Sequence, residues 1–176
     1  MTKATAVEKL PKEHWVQILE AHRSNADAIQ AFLKKVSSET DFIASNTNIT
    51  KAVIERSRRS NNSVILLGIN TNGKIISYLR LVGDERPGRK HTATMSLYIL
   101  QEYWGMGIGR SMIEYALRWA KFASIIRKIN IACRSDNKSA LSLYMSVGCK
   151  IEGEISNQVI KNNRFLSLIQ LGYFIE

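Results

Sequence analysis

The sequence predicts one mixed αβ domain over residues 1–176, and three observations carry that reading. Apolar runs of strand length alternate with turn signals such as Asn72-Gly73 and Asn162-Asn163. Two stretches repeat apolar residues at helical spacing. Between them an apolar strand, Met95 to Leu100, passes through a glycine-rich turn into an amphipathic helix, Ile108 to Ala123.

The elements follow in order. His14 to Ala21 reads as a first strand. Ser24-Asn-Ala-Asp27 has capping-box spacing, serine accepting from the helix amides and aspartate answering at the third position. Ile29, Phe32, Leu33 and Val36 then recur on one helical face, and a short second helix covers Thr50 to Arg59. Val64 to Ile69 and Lys74 to Val82 are strands joined through Asn72-Gly73. After the turn Gly83 to Gly88, Thr92 to Leu100 delivers the chain to the glycines. Ile108, Met112, Ala116 and Ala120 line one face of the next helix, and Lys128 to Arg134 is a strand. Lys150 to Ile160 and Arg164 to Phe174 close the chain as a hairpin. No internal repeat or low-complexity linker appears.

Length and composition bound the function. A chain of 176 residues with 45% apolar content is the size of one domain with a substantial core. No apolar run reaches membrane-spanning length, and Met1 to Leu10 lacks the apolar core of a signal peptide, so no membrane association is expected and the cytoplasm is the default location. Cys133 and Cys149 have neither metal nor redox spacing, so no metal is expected, and Cys133 reads as a small buried hydrophobe. The net charge is +10, and residues 61–130 hold ten Lys and Arg against four Asp and Glu. A positive field there would concentrate a polyanionic ligand. No aromatic-interleaved basic stripe or helix-turn-helix pattern accompanies it, so nucleic acid is not the favoured partner.

The stretch Gln101-Glu-Tyr-Trp-Gly-Met-Gly-Ile-Gly-Arg110 carries the chemistry. Glycines let a chain curl so that its N–H groups converge, and a helix N-terminus adds partial positive charge; together they cradle phosphate. The triphosphate loop, Gly-x4-Gly-Lys-Ser/Thr, is excluded because Gly109-Arg-Ser111 has no lysine. The dinucleotide loop, Gly-x-Gly-x-x-Gly, breaks at Arg110. A second segment follows, Asn137, Ala140, Tyr144 and Gly148, and then Glu152-Gly153.

With both segments in this order and spacing, the chain resembles the GNAT superfamily of acetyl-CoA-dependent N-acetyltransferases. That family carries Arg/Gln-x-x-Gly-x-Gly/Ala at its pyrophosphate loop and Asn-x-x-Ala-x-x-x-Tyr-x-x-x-Gly-Phe after it. Here Cys149 stands where Phe is usual, and Trp104 falls on the Arg/Gln position, because Gly107 and Gly109 fit the two motif glycines. The resemblance covers at least Ser63 to Gly153. Ser38 to Phe42 and His91 are similar to a bacterial branch that includes ribosomal-protein and small-amine acetyltransferases.

The resemblance implies the acyl-CoA N-acyltransferase fold, a mixed, largely antiparallel sheet of about seven strands flanked by about four helices. It implies transfer of acetyl from acetyl-CoA to a primary amine by direct attack in a ternary complex. Coenzyme A would be held by Ile99, Trp104, Gly105, Met106, Gly107, Ile108, Gly109, Arg110 and Asn137. The Ile99 amide would meet the acetyl carbonyl or the pantetheine arm, Arg110 would supply the charge lost at Trp104, and Asn137 would cap its helix and hold the arm. Tyr144 would be the general acid, because a phenol of pKa about 10 is close to a thiol of about 8.5. Glu39 is the first candidate for the base, His91 the second, and a chain of water molecules needs neither. The acceptor stays open among a protein N-terminus, an amino acid and other small amines. The positive charge disfavours polycations, and a homodimer is compatible with the reading. Two alternatives belong to other classes: a non-catalytic acyl-CoA-binding module and an RNA- or ribosome-associated binding protein.

Overall fold

The computed structural model describes residues 6–9, 15–42 and 48–176. Eight strands form one sheet: β1 (Ala6–Lys9), β2 (Trp15–Glu20), β3 (Val64–Ile69), β4 (Ile75–Gly83), β5 (Thr92–Ile99), β6 (Lys128–Arg134), β7 (Lys150–Lys161) and β8 (Arg164–Phe174). Their order across the sheet is β1-β2-β3-β4-β5-β6-β8-β7. Every neighbouring pair is antiparallel except β5 with β6, which run parallel. The helices are α1 (Ala26–Glu39), α2 (Lys51–Arg59), α3 (Ile108–Ala123) and α4 (Lys138–Ser146). One strand beyond the expected seven or so is β1, which pairs with β2 at the sheet edge.

Local sequence explains most boundaries. Thr50 caps α2 by accepting from Val53 N–H at 3.3 Å. At the β3–β4 turn, Asn70 Oδ1 accepts from the N–H groups of Asn72 (3.1 Å) and Lys74 (2.9 Å), so the loop is organised one step before the Asn72-Gly73 pair. Asn162 and Asn163 take φ of +48° and +59°, the left-handed pair that closes a two-residue hairpin between Lys161 and Arg164.

Two expectations are corrected. The capping box at the first helix is His22 with Asn25, not Ser24 with Asp27. His22 N–H donates to Asn25 Oδ1 at 2.7 Å, and His22 Nδ1 accepts from Ser24 N–H at 3.4 Å. A 3-10 turn over Arg23–Asn25 precedes α1, so the capping groups come earlier in the chain. The first strand covers Trp15–Glu20, and His14 lies outside the described residues.

Strands β3 and β4 are buried on both faces along most of their length, so helices cover both sides of the sheet. Helix α3 lies on the face that carries Leu97 and Ile99: a Cβ added at Gly109 would meet Ile99 Cδ1 at 3.3 Å and Leu97 Cδ2 at 3.7 Å. The α3 stripe Ile108, Met112, Ala116 and Ala120 is at most 1% exposed, as its spacing predicts. Helix α1, which also contacts β4 and β5, buries Ile29, Phe32, Leu33 and Val36 against the opposite face.

Candidate active site

The site originates in a failure of strand pairing. β5 and β6 pair only at Thr92 with Lys128, Ala93 with Ile129 and Thr94 with Asn130. Beyond that point β5 stays on β4 as far as Ile99, while β6 stays on β8 as far as Arg134, and the two part. The cleft between them is a cavity of about 600 Å³. Its walls come from the outer half of β5, the end of β6, the loop before α3, the first turns of α4 and the last turn of α1.

The alternation of an antiparallel ladder decides which backbone groups face the cleft. Leu100 N–H donates to Ile76 O at 3.1 Å, so the even-numbered positions of β5 bond to β4. The N–H and C=O of Met95, Leu97 and Ile99 therefore point the other way, into the cleft. The Ile99 carbonyl is taken by Trp104, whose Nε1–H donates to it at 2.9 Å. The Ile99 amide points to the same side, where an extended amide-bearing chain could pair with it.

The glycine loop closes one mouth of the cleft. Gly105 and Gly107 have φ of +72° and +86°, and Gly107 is the N-cap of α3. Only glycine holds that left-handed conformation at low cost, and the curl turns successive amides inward. The first backbone bond into the helix is Ser111 N–H to Gly107 O at 3.2 Å, which leaves the amides of Ile108, Gly109 and Arg110 without an intrahelical partner. A helix terminus of this kind is suited to an anion. Gly109 has a different role: its missing Cβ would sit 2.7 Å from Leu143 Cδ2, so it lets α3 and α4 approach closely. Met106 packs half-buried on the core and is not part of the cavity wall. Arg110 lines the mouth but is already engaged, its Nη2 donating to Ser146 Oγ at 2.9 Å and its Nη1 standing 3.6 Å from Glu114.

Tyr144 and Asn137 form the α4 wall. Asn137 Oδ1 accepts from Ala140 N–H at 3.2 Å, the expected cap, while its side chain still faces the cavity. Tyr144 is 6% exposed and lines the cavity, and among the described residues its hydroxyl has no hydrogen-bond partner. Burial pushes its phenol above the ordinary value, with Cys133 and Cys149 adding to the shift. The near match between phenol and thiol expected from sequence therefore does not hold in this structure. Burial likewise pushes the Cys133 and Cys149 thiols up to about 11. Both should resist alkylation by iodoacetamide at pH 8 in the native protein, at least tenfold slower than in denaturant, where thiols titrate at about 8.5. Mass-spectrometric counting of modified cysteines checks this.

Neither candidate base is in the cavity wall. Glu39 ends α1 with its carboxylate turned to the chain after β5: Oε2 accepts from Gln101 N–H at 2.9 Å, and Oε1 lies 3.6 Å from Lys35 Nζ. It is not in the cavity wall, whereas its neighbour Thr40 is. His91 precedes β5 at the far end of the sheet, where its carbonyl accepts from Arg127 and Lys128. Eight strand steps at about 3.3 Å each put it roughly 26 Å along the strand direction from Ile99.

Among the wall residues not singled out as site residues from sequence are Tyr98, Phe42 and Arg134. Tyr98, one position from Ile99, shows its ring to the opposite face and stacks on Tyr78 with centroids 6.1 Å apart. Phe42 and Arg134 close the rim beside Thr40. The period-2 alternation of β5 was the available signal for Tyr98; Phe42 and Arg134 meet only through the fold. Among the described residues no three His, Cys, Asp or Glu side chains are grouped to hold a metal.

Comparison with known proteins agrees with this geometry. Residues 26–149 match the acetyltransferase (GNAT) family. An acetyltransferase of the GNAT family from Streptococcus pneumoniae superposes with a TM-score of 0.86 at 28% identity, over 91% of this chain and 99% of that one. YncA from Salmonella typhimurium, whose structure contains its cofactor acetyl-CoA, superposes with a TM-score of 0.80 at 18% identity, over 92% and 94% of the two chains. The L-amino acid N-acetyltransferase AaaT of Escherichia coli is 23% identical over 99 residues, a stretch that is 54% of this chain and 59% of that relative. With the matched region covering most of the chain, this protein belongs to the GNAT acetyltransferase family.

Proposed function

We propose that this protein transfers acetyl from acetyl-CoA to a primary amine by direct attack, with the parted β5 and β6 receiving the pantetheine arm. The single observation that supports this best is the run of cleft-facing backbone ending at Ile99, with the phosphate-binding curl at one mouth and the unpartnered Tyr144 hydroxyl in the wall. The acetyl-CoA in the Salmonella relative supports the same cofactor.

When bound, the thioester supplies an activated acetyl group. The chain's own groups then divide the work. The amides of Ile108, Gly109 and Arg110 hold pyrophosphate. The Ile99 N–H donates to the carbonyl oxygen as negative charge grows there, a contribution of a few kcal/mol. As the amine nitrogen bonds to the carbonyl carbon and the carbon–sulfur bond breaks, Tyr144 O–H delivers its proton to the departing sulfur and recovers one, through water, from the attacking nitrogen. The ammonium proton leaves by water. Glu39 acts through the Gln101 amide, fixing the strand end that carries Ile99.

That division makes two predictions. Glu39→Gln keeps an acceptor for Gln101 N–H and should hold kcat within about threefold of wild type, whereas Glu39→Ala should lose about tenfold or more. If both variants instead fall together and move the pH–rate profile to alkaline pH, Glu39 is the base. Tyr144 acts protonated, and its folded pKa lies above the ordinary value of about 10, so activity is present below that value and lost only as pH rises past the raised one. Saturating kcat should therefore show no alkaline fall below about pH 10. An alkaline fall centred at pH 8–9 that disappears in Tyr144→Phe would oppose this.

The deciding experiment is an acetyl-CoA turnover screen against an amine library, with free thiol detected. Amino acids lead the library because of the Escherichia coli relative, and peptide N-termini and other small amines follow. Amine-dependent thiol release supports the proposal. Coenzyme A binding without release by any amine would favour a binding module, and salt-sensitive RNA binding without coenzyme A would favour the RNA reading.

A further inference from the structure

At the rim of the cavity, three segments far apart in sequence meet around Arg134. Arg134 ends β6 with its side chain only 10% exposed. Its Nε and Nη2 form a fork on Asp136, at 2.9 Å to Oδ1 and 2.7 Å to Oδ2. Its Nη1 donates to the Asp41 carbonyl at 2.9 Å, and Nη2 stands 3.4 Å from Asp41 Oδ1. The guanidinium plane also covers the Phe42 ring, 4.5 Å from its centroid. Lys161, at the tip of the β7–β8 hairpin, completes the cluster: Nζ is 2.9 Å from Asp41 Oδ2, 3.7 Å from Asp136 Oδ2 and 5.4 Å from the Phe42 centroid.

The two sides joined by Arg134 are unequally supported. On the cofactor side, the turn before α4 has its own backbone bonds, Ser135 N–H to Ser167 O at 2.9 Å and Asn137 N–H to Arg134 O at 3.0 Å. On the other side, the segment after α1 has Phe42 N–H to Thr40 Oγ1 at 3.2 Å and the helix-terminal bond of Thr40 N–H to Val36 O. Yet Thr40 and Phe42 form that part of the cavity wall. A planar, always-charged fork can hold a carboxylate, a carbonyl and an aromatic face at once; an ammonium of the same charge cannot.

Taking the acetyl-transfer reading as its basis, we infer that Arg134 is a positioning residue that straps the Thr40–Phe42 segment onto the cavity and so shapes the acceptor end of the site. Both carboxylates it touches are held below the usual range, Asp136 chiefly by the Arg134 fork and Asp41 chiefly by Lys161, so the strap is fully charged at neutral pH. The turn before α4 keeps its backbone bonds without the Arg134 side chain, so the cofactor end should hold.

The test combines kinetics with hydrogen exchange. Arg134→Met keeps the stem and removes the fork; Arg134→Lys keeps the charge; Asp41→Asn weakens the strap from its other end. With an amine that turns over, both Arg134 variants should raise acceptor KM about tenfold or more, while acetyl-CoA Kd measured by calorimetry stays within about threefold. Asp41→Asn should move the same way, and its combination with Arg134→Met should cost less than the two effects multiplied. Independently of turnover, the Phe42 amide should exchange about tenfold faster in Arg134→Met, with α3 amides unchanged. Restoration of KM by Arg134→Lys would overturn the role given to the fork. Equal weakening of acetyl-CoA and acceptor, or unchanged Phe42 exchange in both Arg134→Met and Asp41→Asn, would overturn the strap. If no amine turns over, the transfer reading fails by itself and the exchange result still judges the strap.

Discussion

Tyr144→Phe should lower turnover by about a hundredfold, equivalent to about 2.7 kcal/mol in the barrier, while acetyl-CoA affinity stays within about twofold. The substitution is clean in this setting. The ring is buried between α4 and the sheet, and phenylalanine preserves that packing. The hydroxyl has no hydrogen-bond partner among the described residues, so its removal orphans no other buried group, and thermal stability should hold. A loss of turnover then reports on the reaction. Equal turnover in variant and wild type, with chemistry limiting, would make Tyr144 a packing residue.

Gly107→Val should weaken acetyl-CoA at least tenfold. Two effects combine. Gly107 has φ of +86°, where a β-branched residue is strained by about 1–2 kcal/mol, and any side chain there crowds the approach to the amides of Ile108 and Gly109. Gly107→Asn separates them, because asparagine tolerates the left-handed region. Val should lower both melting temperature and affinity, and Asn should lower affinity alone. Calorimetry showing unchanged affinity in either folded variant would contradict the cradle.

Where the chain punctuates itself, its sequence is legible. Helix α3 and strand β6 have the boundaries read from sequence, Ile108–Ala123 and Lys128–Arg134, because glycines or a left-handed Ser124 end the elements and the apolar spacing is strong inside them. β1 escaped notice because Ala6–Lys9 is four residues with no periodicity to detect. The helix cap moved because a 3-10 turn precedes α1, which capping-box spacing alone does not reveal. The wall proposed for the cofactor was legible for a related reason: its glycines, Asn137 and Tyr144 sit in two contiguous segments, each with its own spacing. The wall proposed for the acceptor was not. Tyr98, Phe42 and Arg134 belong to β5, the segment after α1 and β6, and only the parting of a parallel pair places them on one rim. Glu39 lies in the expected segment, but the last turn of α1 aims its carboxylate at Gln101 N–H.

The most direct test of the central claim is a single-turnover reaction with enzyme in excess over acetyl-CoA, followed by mass spectrometry of protein and small molecules in the same quench. Direct attack in a ternary complex predicts no acetyl adduct on the protein when acetyl-CoA is added alone. With amine present, it predicts one acetylated amine for each free coenzyme A, at a rate that rises with amine concentration and is about a hundredfold slower in Tyr144→Phe. An acetylated protein species that forms before amine is added and disappears on its addition, or coenzyme A release without acetylated amine, would contradict it.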